Sequence, residues 1–274
     1  MADPNMETPL PDFENPPVIE VICGIQFKPL AKFLTPHIGL LWGKYRAEYP
    51  ETREVAPLDP TLGRYDDRSQ ISIEISDAPP LPRVWFLQKK GNCIIQVQRD
   101  RFLHNWRKVD NQEQYPRYDK VKQSFFDGLR HFESFMAENS LGTIDPVQYE
   151  MTYLNHVEQG EGWSDLGEIG NIFPDFSFRK TDDRFLPAPN GLNWHTSFLL
   201  PQTTSRLHVR IRYAKLRDTG KPLLILELTV RGIGEDRSPE AMDSWFDVAR
   251  EWIVRGFADL TGNEVQKEIW KRRL

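Results

Sequence analysis

Two stretches constrain the fold of this chain more than any other feature: "KVKQSFFDGLRHFESFM" from Lys120 to Met136, and "SPEAMDSWFDVAREWIVRGFADLTG" from Ser238 to Gly262. In the first, Val121, Phe125, Leu129, Phe132 and Met136 fall on one helical stripe. In the second, Met242, Trp245, Ala249, Trp252 and Leu260 do so, joined by Phe246, Ile253 and Phe257. Ser238 suits an N-cap, Pro239 a first helical position and Glu240 the helix dipole, with Gly262 just past the end. An amphipathic helix has to bury its stripe. Each of these helices follows a block of strand-like runs, so the surface available to both is a sheet.

The runs come in a matching order. "VIEVICGIQF" (Val18 to Phe27) reads as a strand rich in β-branched residues. A helix follows, with Thr35 as N-cap, Pro36 as first residue, Ile38, Leu41, Trp42 and Tyr45 as its stripe, and Pro50 as terminator. "QISIEIS" (Gln70 to Ser76) alternates strictly, and "RVWFLQKKGNCIIQVQR" reads as two strands around a Lys-Lys-Gly-Asn turn. After the first long helix the order starts again. Pro146 to Val157 is a strand and Trp163 to Phe173 a short helix weakened by Gly167 and Gly170. "LNWHTSFLL" is a strand, and "RLHVRIRYAKL" with "PLLILELTVRG" forms a hairpin around Asp218 to Lys221. Each half thus reads strand, helix, three strands, helix. "PPVIEV" and "DPVQYE" at the two starts match only slightly.

The expectation is an α+β fold built from a duplicated unit, residues 18–142 and 143–274, after a flexible N-terminal arm over residues 1–17. The two units join their strands into one curved antiparallel sheet with the long helices packed on one face. That order resembles the TATA-binding-protein-like or helix-grip type of fold, a likeness of shape that carries no function. The alternative is two separate domains dividing near residue 142, for which no Gly-, Ser- or Pro-rich linker is present.

The net charge of −5 argues against a general nucleic-acid binder and leaves only a local basic strip for that role. The two cysteines, Cys23 and Cys93, sit in apolar runs and read as small buried hydrophobes in a reducing compartment. No Cys/His cluster suggests a metal, and no phosphate loop, dinucleotide fingerprint or nucleophile elbow suggests a cofactor or a known catalytic centre. The acidic, proline-rich start lacks the apolar core of a signal peptide, and no apolar run has membrane-span length, so the expected location is cytoplasmic.

Three places hold candidate site residues. The stretch from Ile94 to Asp119 concentrates Arg99, Arg101, Asn105, Trp106, Arg107 and Tyr118. Its strand is read as ending near Arg101 and a loop over 101–118 as following, where cations beside aromatics can hold a carboxylate or phosphate. The bland alternative is arginines paired with surface acids and Trp106 anchoring the loop. In "YEMTYLNHV", Asn155 and His156 end a strand, and His156 is a weak candidate for acid–base work. Glu150 lies about 20 Å away along that strand. In the hairpin, His208, Arg210 and Arg212 share a face. If Arg217 opposes Pro222, then Arg212 faces Glu227 and Arg210 faces Thr229. A solvated ion pair is the bland reading there, and an anion groove the sharp one.

"PPVIEVICGIQF", "QVQRDRF" with "NWRK" and "YPRY", "YLNH" and the closing "FADLTGNEVQKEIWKRR" together resemble a sporadically distributed family of uncharacterised bacterial proteins, over nearly the whole chain. The resemblance implies a bacterial protein folded as one full-length module and brings no activity with it. The first functional expectation is therefore a non-catalytic binding or interaction protein, presenting the curved sheet and the 101–118 loop to a small anionic ligand or a protein partner, with a homodimer as one form. An enzyme acting on an anionic small molecule or nucleotide is the alternative, and nucleic-acid binding the second.

Overall fold

Antiparallel strands form the centre of the computed structural model, which describes residues 8–58, 82–110, 112–176, 178, 185–187, 189–201 and 203–273. Among these residues the sheet has nine strands: β1 (Val18–Phe27), β2 (Glu51–Val55), β3 (Arg83–Leu87), β4 (Cys93–Gln98), β5 (Arg101–Arg107), β6 (Pro146–Glu158), β7 (Asn193–Leu199), β8 (Arg206–Lys215) and β9 (Pro222–Gly232). Their order is β2-β3-β4-β5-β1-β6-β9-β8-β7. The helices are α1 (Thr35–Tyr45), α2 (Tyr118–Glu138), α3 (Pro239–Leu260) and α4 (Asn263–Glu268), with a 3-10 helix over Leu166–Asn171. The fold is α+β, an open, curved sheet with its long helices on one face.

Strand alternation decides which face the helices cover. Val21, Cys23 and Ile25 of β1 stand opposite Trp106, His104 and Phe102 of β5, and opposite Tyr153, Met151 and Tyr149 of β6. All nine are buried. The aromatic stripes of α2 and α3 close over this layer, with Phe102 and Phe132 5.4 Å apart between ring centroids and Phe125 and Phe246 5.0 Å apart. Gly128 lets α2 approach β5, since a Cβ there would meet the Phe102 ring at 3.0 Å. The Tyr45 hydroxyl of α1 donates to the Gly128 carbonyl at 2.7 Å. Ser238 caps α3 by accepting the Ala241 N–H at 3.2 Å. The cap of α1 falls on Leu34 instead of Thr35, and His37 Nδ1 accepts the Leu34 N–H at 3.0 Å.

Several expectations need correcting. The strand at Gln98 does not run on through Arg101: residues 99 and 100 form a turn, and β5 returns along β4 with Arg101 opposite Gln98. Asn105, Trp106 and Arg107 therefore lie on a strand, and the connection to α2 shrinks to residues 108–117. The hairpin register is two residues away from that expected, with Lys215 opposite Pro222, Arg210 opposite Glu227 and Arg212 opposite Ile225. The first half has four strands after α1 among the described residues, because the exposed, polar segment 51–55 pairs with β3. The alternating run 70–76 lies outside the described residues. Residues 8–17 do not stand free. Phe13 is buried against Phe257, with centroids 5.3 Å apart, and bridges to Arg272. The Asn15 N–H donates to the Trp270 carbonyl at 3.1 Å.

Candidate functional site

The face of the sheet away from the helices is polar. Across its first half runs a hydrogen-bonded series. Asn105 Nδ2 donates to Glu20 at 2.7 Å, Gln96 Nε2 donates to Asn105 Oδ1 at 2.6 Å, and Trp85 Nε1 and Arg83 donate to Gln96 Oε1 at 2.9 and 3.1 Å. Burial raises the Glu20 carboxyl above its usual range, with the Asn105 hydrogen bond and the Arg107 charge opposing. On the second half Arg231 pairs with Glu150, Thr152 and Thr229 share a hydroxyl bond of 2.8 Å, and Arg212 reaches Glu227 at 3.5 Å. These bonds occupy most of the polar groups that a ligand would need. They belong to sheet cohesion.

A cavity of about 400 Å³ lies on the other side, between the sheet, the N-terminal segment, the 108–117 connection and α3. That volume is within the range of small-molecule sites. Its floor is β6, where alternation aims Tyr153 and Asn155 toward the helices, together with Leu228 of β9. One wall is Pro16, Pro17 and Val18, held down by the His156 N–H donating to the Pro17 carbonyl at 3.0 Å. The opposite wall is Ile253, Val254 and Phe257 of α3.

Polar groups share this lining. Tyr115 and Tyr153 share a hydroxyl–hydroxyl bond of 2.8 Å, and the Tyr115 ring packs on Trp106 at 5.3 Å. Tyr118, the first residue of α2, donates to Asp247 at 2.7 Å, while the Arg250 guanidinium lies over its ring, 4.9 Å from the centroid. Arg250 has no carboxylate partner among the described residues. Asn155, only 3% exposed, donates its amide to the Leu226 carbonyl at 3.1 Å, and its side-chain oxygen bonds to no described group. At the mouth, Arg117 pairs with Asp12 at 2.9 Å. Its backbone is held at φ 73° and ψ 156°, a region that side chains rarely enter and that recurs at ligand sites. Burial pushes the Tyr115, Tyr118 and Tyr153 phenols up, and the charge of Arg250 only partly opposes it, so all three stay protonated at neutral pH. The arrangement offers O–H, amide and guanidinium groups beside the apolar wall of α3.

The structure divides the residues picked out from the sequence. Tyr118 and Asn155 line the cavity, and Trp106 supports it from behind through Tyr115. Arg101, Asn105, Arg107, Arg210 and Arg212 face the other way, and Arg99 sits in the β4–β5 turn. Asn105 is saturated by Glu20 and Gln96, Arg107 donates to the Gly91 carbonyl at 2.7 Å, and Arg101 is buried beside Asp100 at 3.5 Å. Arg210 is exposed. Asn155 and His156 point to opposite faces, which removes the paired end that acid–base work there would need. His156 is half-buried, and burial lowers its pKa, with Glu158 opposing and Arg212 adding. Arg250 escaped notice because it sits on the flank of α3, where arginine reads as solvated. "YPRY" and "YLNH" were its only sequence signals, since they supply the tyrosines and asparagine around it. Among the described residues no three His, Cys, Asp or Glu side chains gather as a metal site, and no helix is long and apolar enough to cross a membrane.

An open antiparallel sheet with a helix-side cavity defines a class of shape and a type of site. A comparison with models of known protein families finds no match, and no curated protein matches the chain.

Proposed function

We propose that this chain is a non-catalytic binding protein whose site is the cavity between the N-terminal segment, the 108–117 connection and α3. The observation that carries the reading is the convergence of unused hydrogen-bonding capacity on an apolar hollow of about 400 Å³: Arg250, the tyrosine pair and Asn155. The stretch from Arg101 to Tyr118 contributes as first expected, but through Trp106, Tyr115 and Tyr118 instead of through its arginines. The reading favours binding over catalysis because the described lining holds no histidine, cysteine, serine or lysine, and its phenols stay protonated.

The duplicated, TATA-binding-protein-like or helix-grip shape belongs to the same proposal. Its support is the strand order, in which β1 and β6 meet at the centre and β5 and β9 flank them, each flanking strand leading into a long helix. Membership of the sporadic bacterial family, and a cytoplasmic setting, are proposed on the sequence alone.

Native mass spectrometry of the protein from its own cells tests the site, before and after mild denaturation. A small molecule should be released, and Val254→Trp, which fills the cavity, should abolish its retention in a folded protein. No released molecule, or equal retention by the filled variant, would overturn the assignment.

A further inference from the structure

We infer that the ligand of this cavity is a small monocarboxylic acid with an apolar body, its carboxylate held by Arg250 and the Tyr115–Tyr153 hydroxyl pair. The inference rests on the cavity being the binding site and adds what it binds.

The hydroxyl pair supplies the first argument. Two phenols that share one hydrogen bond use one of their two O–H protons, so one O–H remains to donate. Neither tyrosine has another hydrogen-bond partner among the described residues. Tyr153 is 7% exposed, so an unmet donor there is costly and asks for an acceptor from the cavity. Arg250 supplies the second argument. It lines the same cavity as Tyr115 and Tyr153 and lies 4.9 Å from the centroid of the Tyr118 ring, so the leftover O–H and the guanidinium serve one hollow. A donor and a cation together select an anion.

Charge sets the class of anion. Arg117 and Asp12 cancel at the mouth, and Asp119 lines the wall as a second carboxylate. Arg250 is thus the one lining cation without a carboxylate partner among the described residues. A single guanidinium suits a carboxylate, and the flanking acids oppose a dianionic phosphate. The remaining lining is apolar, with Leu228, Ile253, Val254, Phe257 and three prolines among it, and calls for hydrocarbon. The volume lies toward the small end of small-molecule sites, which sets a compact ligand. Asn155 leaves its side-chain oxygen for one further polar group on that body.

Phenylacetate, with phenylacetamide and phenyl phosphate as matched probes, tests the inference by calorimetric titration of the full chain. Phenylacetate should bind, and both other probes should bind at least about tenfold more weakly. Arg250→Gln should weaken phenylacetate at least about tenfold. It should leave the thermal midpoint close to that of the parent, because this side chain forms no ion pair or hydrogen bond among the described residues. Tyr115→Phe with Tyr153→Phe, which removes both hydroxyls and with them the spare donor, should also weaken the acid. Amide binding equal to the acid, tighter phosphate binding, an unchanged Arg250→Gln affinity or no binding of phenylacetate overturns the assignment. The two readings fail separately. Release of a neutral or cationic molecule from the native protein would sink the carboxylate and keep the cavity. No release together with no probe binding would sink both.

Discussion

Arg117 gives the sharpest check on the backbone around the cavity. At φ 73° and ψ 156° it occupies a region that costs a side-chain-bearing residue about 1–3 kcal/mol. Two substitutions isolate that cost. Arg117→Ala and Arg117→Gly both remove the ion pair to Asp12, whose side chains are 51% and 40% exposed and whose contribution is therefore small. The variants then differ only in the Cβ and in chain entropy. At an ordinary position glycine is the less stable by roughly 0.5–1 kcal/mol. Relief of the strain outweighs that here, so Arg117→Gly should be more stable than Arg117→Ala by about 1 kcal/mol. Urea denaturation midpoints compared at a common slope measure the difference. The sign is what matters. An alanine variant as stable as the glycine variant, or more so, would refute the strained conformation and remove one support for the site.

Other outcomes follow from single contacts. Tyr115→Phe and Tyr153→Phe should each cost about 1 kcal/mol, and the double variant should cost well under their sum, since each hydroxyl satisfies the other; additive losses in a denaturation cycle would deny the bond. His104, 1% exposed, is pushed by burial down to about 4 from an ordinary 6.5. The unfolded chain therefore takes up the proton first as the pH falls, so His104 contributes stability in full above its unfolded pKa and loses it toward its folded pKa. Relative to neutral pH this amounts to roughly 2 kcal/mol by pH of about 5, and His104→Gln should lack that component in paired urea titrations. Arg101→Ala should lower stability by about 1–3 kcal/mol because it removes the cation beside buried Asp100 and leaves that carboxylate only Gln98 as a side-chain partner among the described residues, whereas exposed Arg210→Ala should stay within about 0.5 kcal/mol. Equal thermal shifts for the two would contradict their placement.

Elements with one apolar face were legible in the sequence. β9 and the start of β1 sit at their expected limits, the stripe of α2 is buried, and so is that of α3 except for Trp245 and Trp252, which are partly buried. β5 was not legible as a strand. Its helix-side residues Phe102, His104 and Trp106 alternate with Leu103, Asn105 and Arg107, so a histidine on the inner face and a leucine on the outer face broke the period of two. β2 lacks a buried face, and α4 has only six residues, so neither produces a periodic signal. The hairpin register slipped because the turn extends from Leu216 to Lys221, longer than the four residues assigned to it, with the Leu216 N–H donating to the Lys221 carbonyl. For the site, Tyr118 and Asn155 were within reach of sequence reasoning because a tyrosine beside cations and an asparagine in a strand are unusual. Arg250 was not, because its meaning depends on which tyrosines the tertiary fold sets beside it. The arginines drew attention by number, and the structure assigns most of them to holding the sheet.

One wall of the cavity is fastened by the end of the described chain. Trp270 packs on Phe257 with ring centroids 5.0 Å apart, and its carbonyl takes the N–H of Asn15, Arg272 bridges Phe13, and the Arg273 N–H donates to the Asp12 carbonyl at 2.8 Å. Gln266 fixes that tail, with Arg272 donating to its side-chain oxygen at 2.8 Å. Residues 12–15 and 270–273 thus clasp each other beside the Phe257 end of α3, two segments far apart in the chain acting as one buckle. Undoing either side of the buckle would open that wall and leave the nine-strand ladder paired.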